Sequence, residues 1–393
     1  MSDYGPYQPA VPAGFVPGGP LPGPRRPRVR SVLGWTGLVV LLAGCGLETV
    51  SEISTETGVV GFVGGSLLAA VPVFPVVAVF LWLDRYESEP RSLLAFALAW
   101  GAVVATFGAL VVNTASVHAI QKSGGDPTWG VLLVAPVVEE SLKGLAVLLI
   151  LLVRRREFDG VVDGIVYAGM AGVGFAFMEN VLYLGRALGS TDGHPVFVFA
   201  VRCLASPFAH PLFTAATGVG IGIAASSSNR LLRAVAPVAG WCVAVALHSG
   251  WNLSASSGLR GFVSLYVLVQ LPIFAAVAAL AVLARQREGR LIARHLAVYC
   301  STGWLSHDEV GMLASLRARR DSRAWARRVG GSAARRSMRD FQELGSELAF
   351  LRERMVRGAA PADAQEQEYA MLAAMSALRG TFLPQWVRPG VQV

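Results

Sequence analysis

Long apolar stretches, each about the length of one membrane crossing, recur along this chain and restrict its fold more than any other feature. A hydrocarbon core about 30 Å thick needs about 20 apolar residues per helix. Windows of that size fall near 31–49, 58–83, 91–114, 128–153, 161–185, 195–224, 232–254 and 261–284. They predict an all-α, polytopic membrane helix bundle of about eight transmembrane helices. Composition agrees: 53% of the side chains are apolar and 15% charged, against about 45–50% and about 25% in soluble domains.

Charge gives the organisation. Residues 285–393 hold eighteen Arg and eleven Asp or Glu, and residues 1–30 hold four Arg and one Asp, so the net charge of +8 sits at the two ends. We assign that charge to anionic lipid headgroups rather than to nucleic acid. Arg and Lys also fall in alternate connections: Arg25 to Arg30, Arg85 and Arg91, Arg154 to Arg156, Arg230 and Arg233, and Arg285 to Arg290. Both termini are therefore expected on the cytoplasmic side of a bacterial-type plasma membrane. Residues 1–30 read as a disordered Pro- and Gly-rich tail, 31–284 as a transmembrane domain, and 285–393 as an Arg-rich helical cytoplasmic domain.

In that last region Ser306 to Glu309 is a capping box, Gly330-Gly331 a break, and a further helix is expected from Asp363 to Gly380. Its cytoplasmic partner is not legible. Cys45, Cys203, Cys242 and Cys300 are too dispersed for a disulfide framework or a CxxC metal site. Gly160 with Gly164, and Gly218 with Gly222, have the four-residue spacing that lets helix backbones approach closely in lipid.

Ionisable groups inside apolar helices cost roughly 2.5–3.5 kcal/mol each at a helix centre, so those present are site candidates by default. Span four reads Pro136-Val137-Val138-Glu139-Glu140-Ser141-Leu142-Lys143, with both acids near mid-window. Adjacent helix positions point about 100° apart, so the two carboxylates cannot aim at one point unaided, while Lys143 lies one turn from each. Either one acid activates water or the set is an intrahelical ion pair; the pair leaves the second acid unexplained. Span five adds Phe175 to Glu179-Asn180, span six adds His210, and span seven adds His248 and Asn252. His248 and Asn252, four apart, share a face on which an imidazole and a carboxamide can hold an oxyanion. His118, His194, His295 and His307 lie in connections or the tail and read as solvated.

Two chemistries fit this set. Glu179, His210 and His248 are one oxygen and two nitrogens, the ligand types of a catalytic zinc site with an open position. Alternatively the site is metal-free, and Glu139 or Glu140 takes a proton from water while His and Asn stabilise the tetrahedral intermediate. HExxH, GxGD and GxSxG are all absent from the sequence, which removes three common routes to hydrolysis within a membrane.

The order Glu139-Glu140-x-x-Lys143, Phe175-x-x-x-Glu179-Asn180, His210, His248-x-x-x-Asn252 resembles the PrsW family of membrane-embedded proteases, within the superfamily of CAAX-prenyl proteases and bacteriocin-processing enzymes. Asp84-Arg85-Tyr86-Glu87 and Asp163-Gly164-Ile165-Val166-Tyr167 resemble it too. The similarity covers roughly residues 80–255. It implies a glutamate-dependent intramembrane endopeptidase acting on a membrane-embedded protein substrate, with Glu139 and Glu140 central. The family role it implies is clipping a membrane-bound anti-sigma factor, so that a second protease can release the sigma factor. Relatives in the superfamily carry His at the position of Glu179, and many carry Arg one residue after that of Lys143. With both termini inside, the site faces the outer leaflet. The competing readings are a proton-coupled transporter, which calls for an internal repeat of broken helices that the sequence lacks, and a scaffold or receptor whose basic tail binds a partner.

Overall fold

The computed structural model describes residues 29–86, 89–155, 158, 160–358 and 360–382. The expected tail up to residue 28, Glu87 and Arg156 lie outside these. Among the described residues every regular element is helical. Six helices among the described residues are long and apolar enough to cross a membrane: Thr36–Leu83, Arg91–Lys122, Val161–Gly189, Pro195–Ser226, Arg230–Ser256 and Gly258–Tyr299. The remaining windows of the expected eight are explained by two local facts. Windows 31–49 and 58–83 share helix α1 (Val29–Leu83), which is broken at Gly58, where φ is 70°. Window 128–153 lies in a π-helical turn, Gly130–Val134, and the 19-residue helix α4 (Ala135–Val153), which is as apolar as the others but carries three charged side chains, Glu139, Glu140 and Lys143.

The chain falls into two compact units, one built from Arg26–Asp84 and Glu89–Val282, the other including Arg85–Ser88 and Leu283–Val393. In the first, α1 is followed by α2 (Arg91–Trp100), α3 (Thr106–Lys122), α4, α5 (Val161–Gly189), α6 (Pro195–Phe199), α7 (Ala209–Ser226), α8 (Arg230–Ser256) and α9 (Gly258–Leu265), and α10 (Leu271–Leu296) comes next in the chain. Helix α5 is its centre: 78% of its apolar window is buried, against 6–39% for the other five. Small residues make that position available. A Cβ on Gly164 would stand 2.1 Å from the Gly218 carbonyl oxygen, and one on Gly222 would stand 2.5 Å from that of Gly160. The spacing read in the sequence is thus the α5–α7 seam. Packing at this range is what holds helices together where no water drives them.

At one end of α5 a second polar group collects. The Gly160 N–H donates to Asp163 Oδ2 (2.8 Å), the Tyr167 hydroxyl donates to Glu89, and the Glu89 N–H donates to Asp84 Oδ2 (3.0 Å). Burial pushes the Asp84 carboxyl up to about 8, with the neighbouring charge of Asp163 adding to the effect.

The second unit has a core of its own, with Leu296, Tyr299, Leu313, Phe341 and Leu348 fully enclosed. The Ser306 capping box starts α11 (His307–Ala314): the Glu309 N–H donates to Ser306 Oγ (3.1 Å) and the Ser306 N–H to Glu309 Oε2 (2.8 Å). Helix α12 (Leu316–Val356) is broken at Gly330 and Gly331, the latter at φ 68°. Arg319, buried, donates to the carbonyls of Leu313 and Tyr86 and to Ser346 Oγ. Helix α13 (Ala364–Phe382) closes the described chain where a helix from Asp363 was expected.

Candidate active site

Four helices bring the intramembrane polar residues together. Glu139 and Glu140 are on α4, Glu179 on α5, His210 in the first turn of α7, and His248 on α8. The two glutamates, which diverge along α4, meet on the two nitrogens of one imidazole. His248 Nδ1 lies 2.9 Å from Glu140 Oε1, and its Nε2 lies 3.7 Å from Glu139 Oε2. That ring is what converges two adjacent helix positions on one site.

Glu140 is the more constrained acid. It and Lys143 are both 0% exposed. Its carboxylate takes Lys143 Nζ at 2.6 Å and the Thr214 hydroxyl at 2.9 Å in addition to His248. Glu139 has fewer partners: Asn113 Nδ2 donates to its Oε1 at 3.3 Å, Lys143 Nζ stands 3.9 Å from its Oε2, and that oxygen is buried with no hydrogen bond among the described residues. Glu179 accepts from Arg202 and lies 2.7 Å from His210 Nε2. The His210 and His248 rings meet edge-on, centroids 5.0 Å apart, with Phe175 and Phe213 against them. A cavity of about 390 Å³ opens beside this cluster; Asn113, Glu139, Glu179, Arg202, His210 and His248 supply its polar wall, and Ile53, Leu110, Met178, Leu182 and Trp251 contribute apolar surface.

Two expectations change. The carboxylate within reach of both histidines is Glu139, not Glu179: Glu139, His210 and His248 each offer a ligand atom within 4.8 Å of the other two. Glu179 is drawn away by the Arg202 guanidinium and binds the outer side of His210 instead. Asn252 lines the cavity, but its Nδ2 donates to the Val131 carbonyl (2.8 Å) in the π-helical turn before α4. The amide expected to join His248 on an oxyanion therefore ties α8 to that turn.

Arg202, Asn113 and Thr214 went unnoticed in the sequence. Arg202 lies within an apolar window and on that ground alone qualified as a candidate. It sits in a π-helical turn, Ala200–Ala205, stacks over Tyr183 at 4.2 Å, and also donates to Asn180 Oδ1 at 2.7 Å. Thr214 is one turn after His210, on the same face. His118, His194 and His307 are exposed, as expected, whereas His295 is half-buried.

The stretch of chain that builds this site is similar in sequence to known proteins. The sequence pattern of the PrsW family of intramembrane metalloproteases fits residues 89–277, a range that contains every residue of the cluster. Protease PrsW of Bacillus subtilis (strain 168) is 30% identical over 161 residues, covering 40% of this chain and 68% of the relative. The chain belongs to the PrsW family of intramembrane proteases. Protease PrsW of Geobacillus kaustophilus (strain HTA426) is 31% identical over 143 residues, 34% of this chain and 62% of that protein. Protease PrsW of Clostridioides difficile (strain 630) is 28% identical over 120 residues, 30% of this chain and 50% of that protein. No solved structure matches at a significant level. Membership of the family makes the chain an integral membrane peptide hydrolase.

The family description includes a metal, and the residues present fit one. The donor set is one carboxylate oxygen and two imidazole nitrogens, and one oxygen, Glu139 Oε2, is buried with no hydrogen bond among the described residues. The outer nitrogen of each histidine is held by a carboxylate, Nε2 of His210 by Glu179 and Nδ1 of His248 by Glu140. That is how proteins orient metal-binding histidines. Three carboxyl groups, Glu139, Glu140 and Glu179, face two cations, Lys143 and Arg202.

Proposed function

We propose that this protein is a glutamate-dependent endopeptidase whose working centre is Glu139, His210 and His248, with Glu140 and Glu179 as orienting groups. The convergence of one carboxylate oxygen and two imidazole nitrogens on the wall of a cavity carries this reading. Glu139, His210 and His248 would hold a zinc ion. Zinc bound there would supply Lewis acidity toward a carbonyl oxygen and make water a stronger acid. Lys143 keeps Glu140 charged, Glu140 holds His248 in one ring orientation, and Arg202 does the same for Glu179 and His210. Phe175 and Phe213 shield the imidazole faces from water. The cavity, of ordinary size for a ligand site, receives one stretch of an unwound substrate segment.

A second reading rests on one contact. Lys143 Nζ stands 3.3 Å from His210 Nδ1, an ammonium beside a nitrogen that a metal needs free. In the metal-free version Glu139 Oε2 takes the proton of the attacking water and delivers it to the leaving amine. The two versions share Glu139 and differ in their response to chelation.

The substrate we propose is a membrane-bound protein with an extracytoplasmic segment, cut near the outer surface; an anti-sigma factor is the class that the family resemblance supports. The alternating Arg-rich connections support cytoplasmic termini, and the compact second unit is consistent with a separate cytoplasmic domain from about residue 285. Reporter fusions at residues 115–127 test the orientation, and a cytoplasmic signal there overturns it. For the reaction, purified protein is incubated with a single-span reporter substrate. We expect loss of cleavage in Glu139→Ala and His248→Ala, and a deep reduction in Glu140→Ala. Equal cleavage by all four proteins overturns the proposal. Cleavage that survives exhaustive chelation leaves Glu139 as the base and removes the metal.

A further inference from the structure

Each of the three inward-facing groups of the site is gripped from its far side. His210 is held through Nε2 by Glu179 and His248 through Nδ1 by Glu140. The matching grip on Glu139 comes from α3, a helix that none of the sequence motifs touches. Asn113 reaches across 26 positions of chain and donates from Nδ2 to Glu139 Oε1 at 3.3 Å. We infer that Asn113 is the positioning residue for Glu139, holding Oε1 so that Oε2 faces the two histidines. This inference rests on the reading of Glu139, His210 and His248 as the working centre.

The chemistry of the contact supports it. A carboxamide N–H can fix a carboxylate oxygen without bringing in a counter-charge that would offset the carboxylate's own. Lys143, the other group near Glu139, stands 3.9 Å from Oε2 and spends its short contact, 2.6 Å, on Glu140. It balances charge but does not fix the Glu139 rotamer. Amide orientation is decided too: Asn113 Oδ1 is buried with no hydrogen-bond partner among the described residues. Exchanging the two ends would set two acceptors against each other without satisfying anything. An Asn in an otherwise apolar stretch, Ala109-Leu110-Val111-Val112-Asn113, has a cost in lipid that a role at the site explains.

Partners of this kind typically control metal affinity by about 10–100-fold. The probe is Zn²⁺, titrated into the full-length protein in detergent against a chromogenic chelator. Asn113→Leu keeps the volume and Asn113→Ala does not; both remove the donor. Both are expected to bind Zn²⁺ about 10–100-fold more weakly than wild type, with melting temperatures in excess chelator unchanged. Glu139→Gln is expected to lose the site altogether. Wild-type affinity in both Asn113 variants, with loss in Glu139→Gln, overturns the role of Asn113 and leaves the metal site standing. A weakening that tracks a fall in melting temperature in excess chelator makes Asn113 a packing residue and also overturns it. Absence of Zn²⁺ binding in wild type, or unchanged binding in Glu139→Gln, overturns the metal centre and the inference together.

Discussion

Adding one methyl group at Gly164 or Gly218 drives α5 and α7 apart. A Cβ at either position lies 2.1 Å from the carbonyl oxygen of the other, whereas ordinary contact begins at 3.4 Å, so the backbones must separate by about 1.3 Å locally. No flexible side chain is present to yield, because both obstructing atoms are backbone. Overpacking of this kind costs about 1–3 kcal/mol. The seam continues to the site: Gly172 of α5 meets Pro211, the residue after His210, where a Cβ would stand 2.7 Å from Pro211 Cα. Separation at Gly164 therefore acts on the contact between Glu179 and His210. Misplacement of reacting groups by 1 Å can cost about 100-fold in rate.

Gly160→Ala is the internal control, since a Cβ there meets nothing within 4 Å and its φ of −167° suits any residue. The assay pairs thermal unfolding in detergent with cleavage of a single-span reporter substrate. Gly164→Ala and Gly218→Ala are expected to unfold at lower temperature and to cleave at least tenfold more slowly, with Gly160→Ala like wild type. If all three variants behave alike, close packing at this seam does not hold the site together.

Lys143→Met leaves Glu140 fully buried without its cation, and removing one partner of a buried pair costs about 3–5 kcal/mol. Thermal unfolding should show the loss, and Lys143→Met combined with Glu140→Gln should recover part of it. The Asp84 carboxyl, pushed up to about 8 from an ordinary 3.8, keeps its proton in the folded protein while the unfolded chain releases it. Its contribution to stability is thus present below the ordinary value and falls as pH rises toward about 8. Melting temperatures across that range should decline less steeply in Asp84→Asn than in wild type, and an identical pH profile would count against the buried acid.

By itself the sequence determined that the chain is helical and membrane-embedded, because about 20 apolar residues in succession leave the backbone few alternatives in lipid. It also marked Glu139, Glu140, Glu179, His210 and His248, since an ionisable group in such a helix has a cost that needs a reason. The glycine spacing on α5 and α7 was legible as well, though not its partner. What the sequence did not contain was which carboxylate faces inward. Helical periodicity sets Glu139 and Glu140 about 100° apart but says nothing of the ring between them. Glu179 was a reasonable ligand until Arg202, from a π-helical turn, claimed its oxygen. Asn252 was a reasonable oxyanion donor until the Val131 carbonyl accepted its amide. Asn113 carried no local signal beyond its polarity. Tertiary structure decided each of these because a buried polar group takes the partner that packing brings within about 3 Å, and that partner can come from anywhere in the chain.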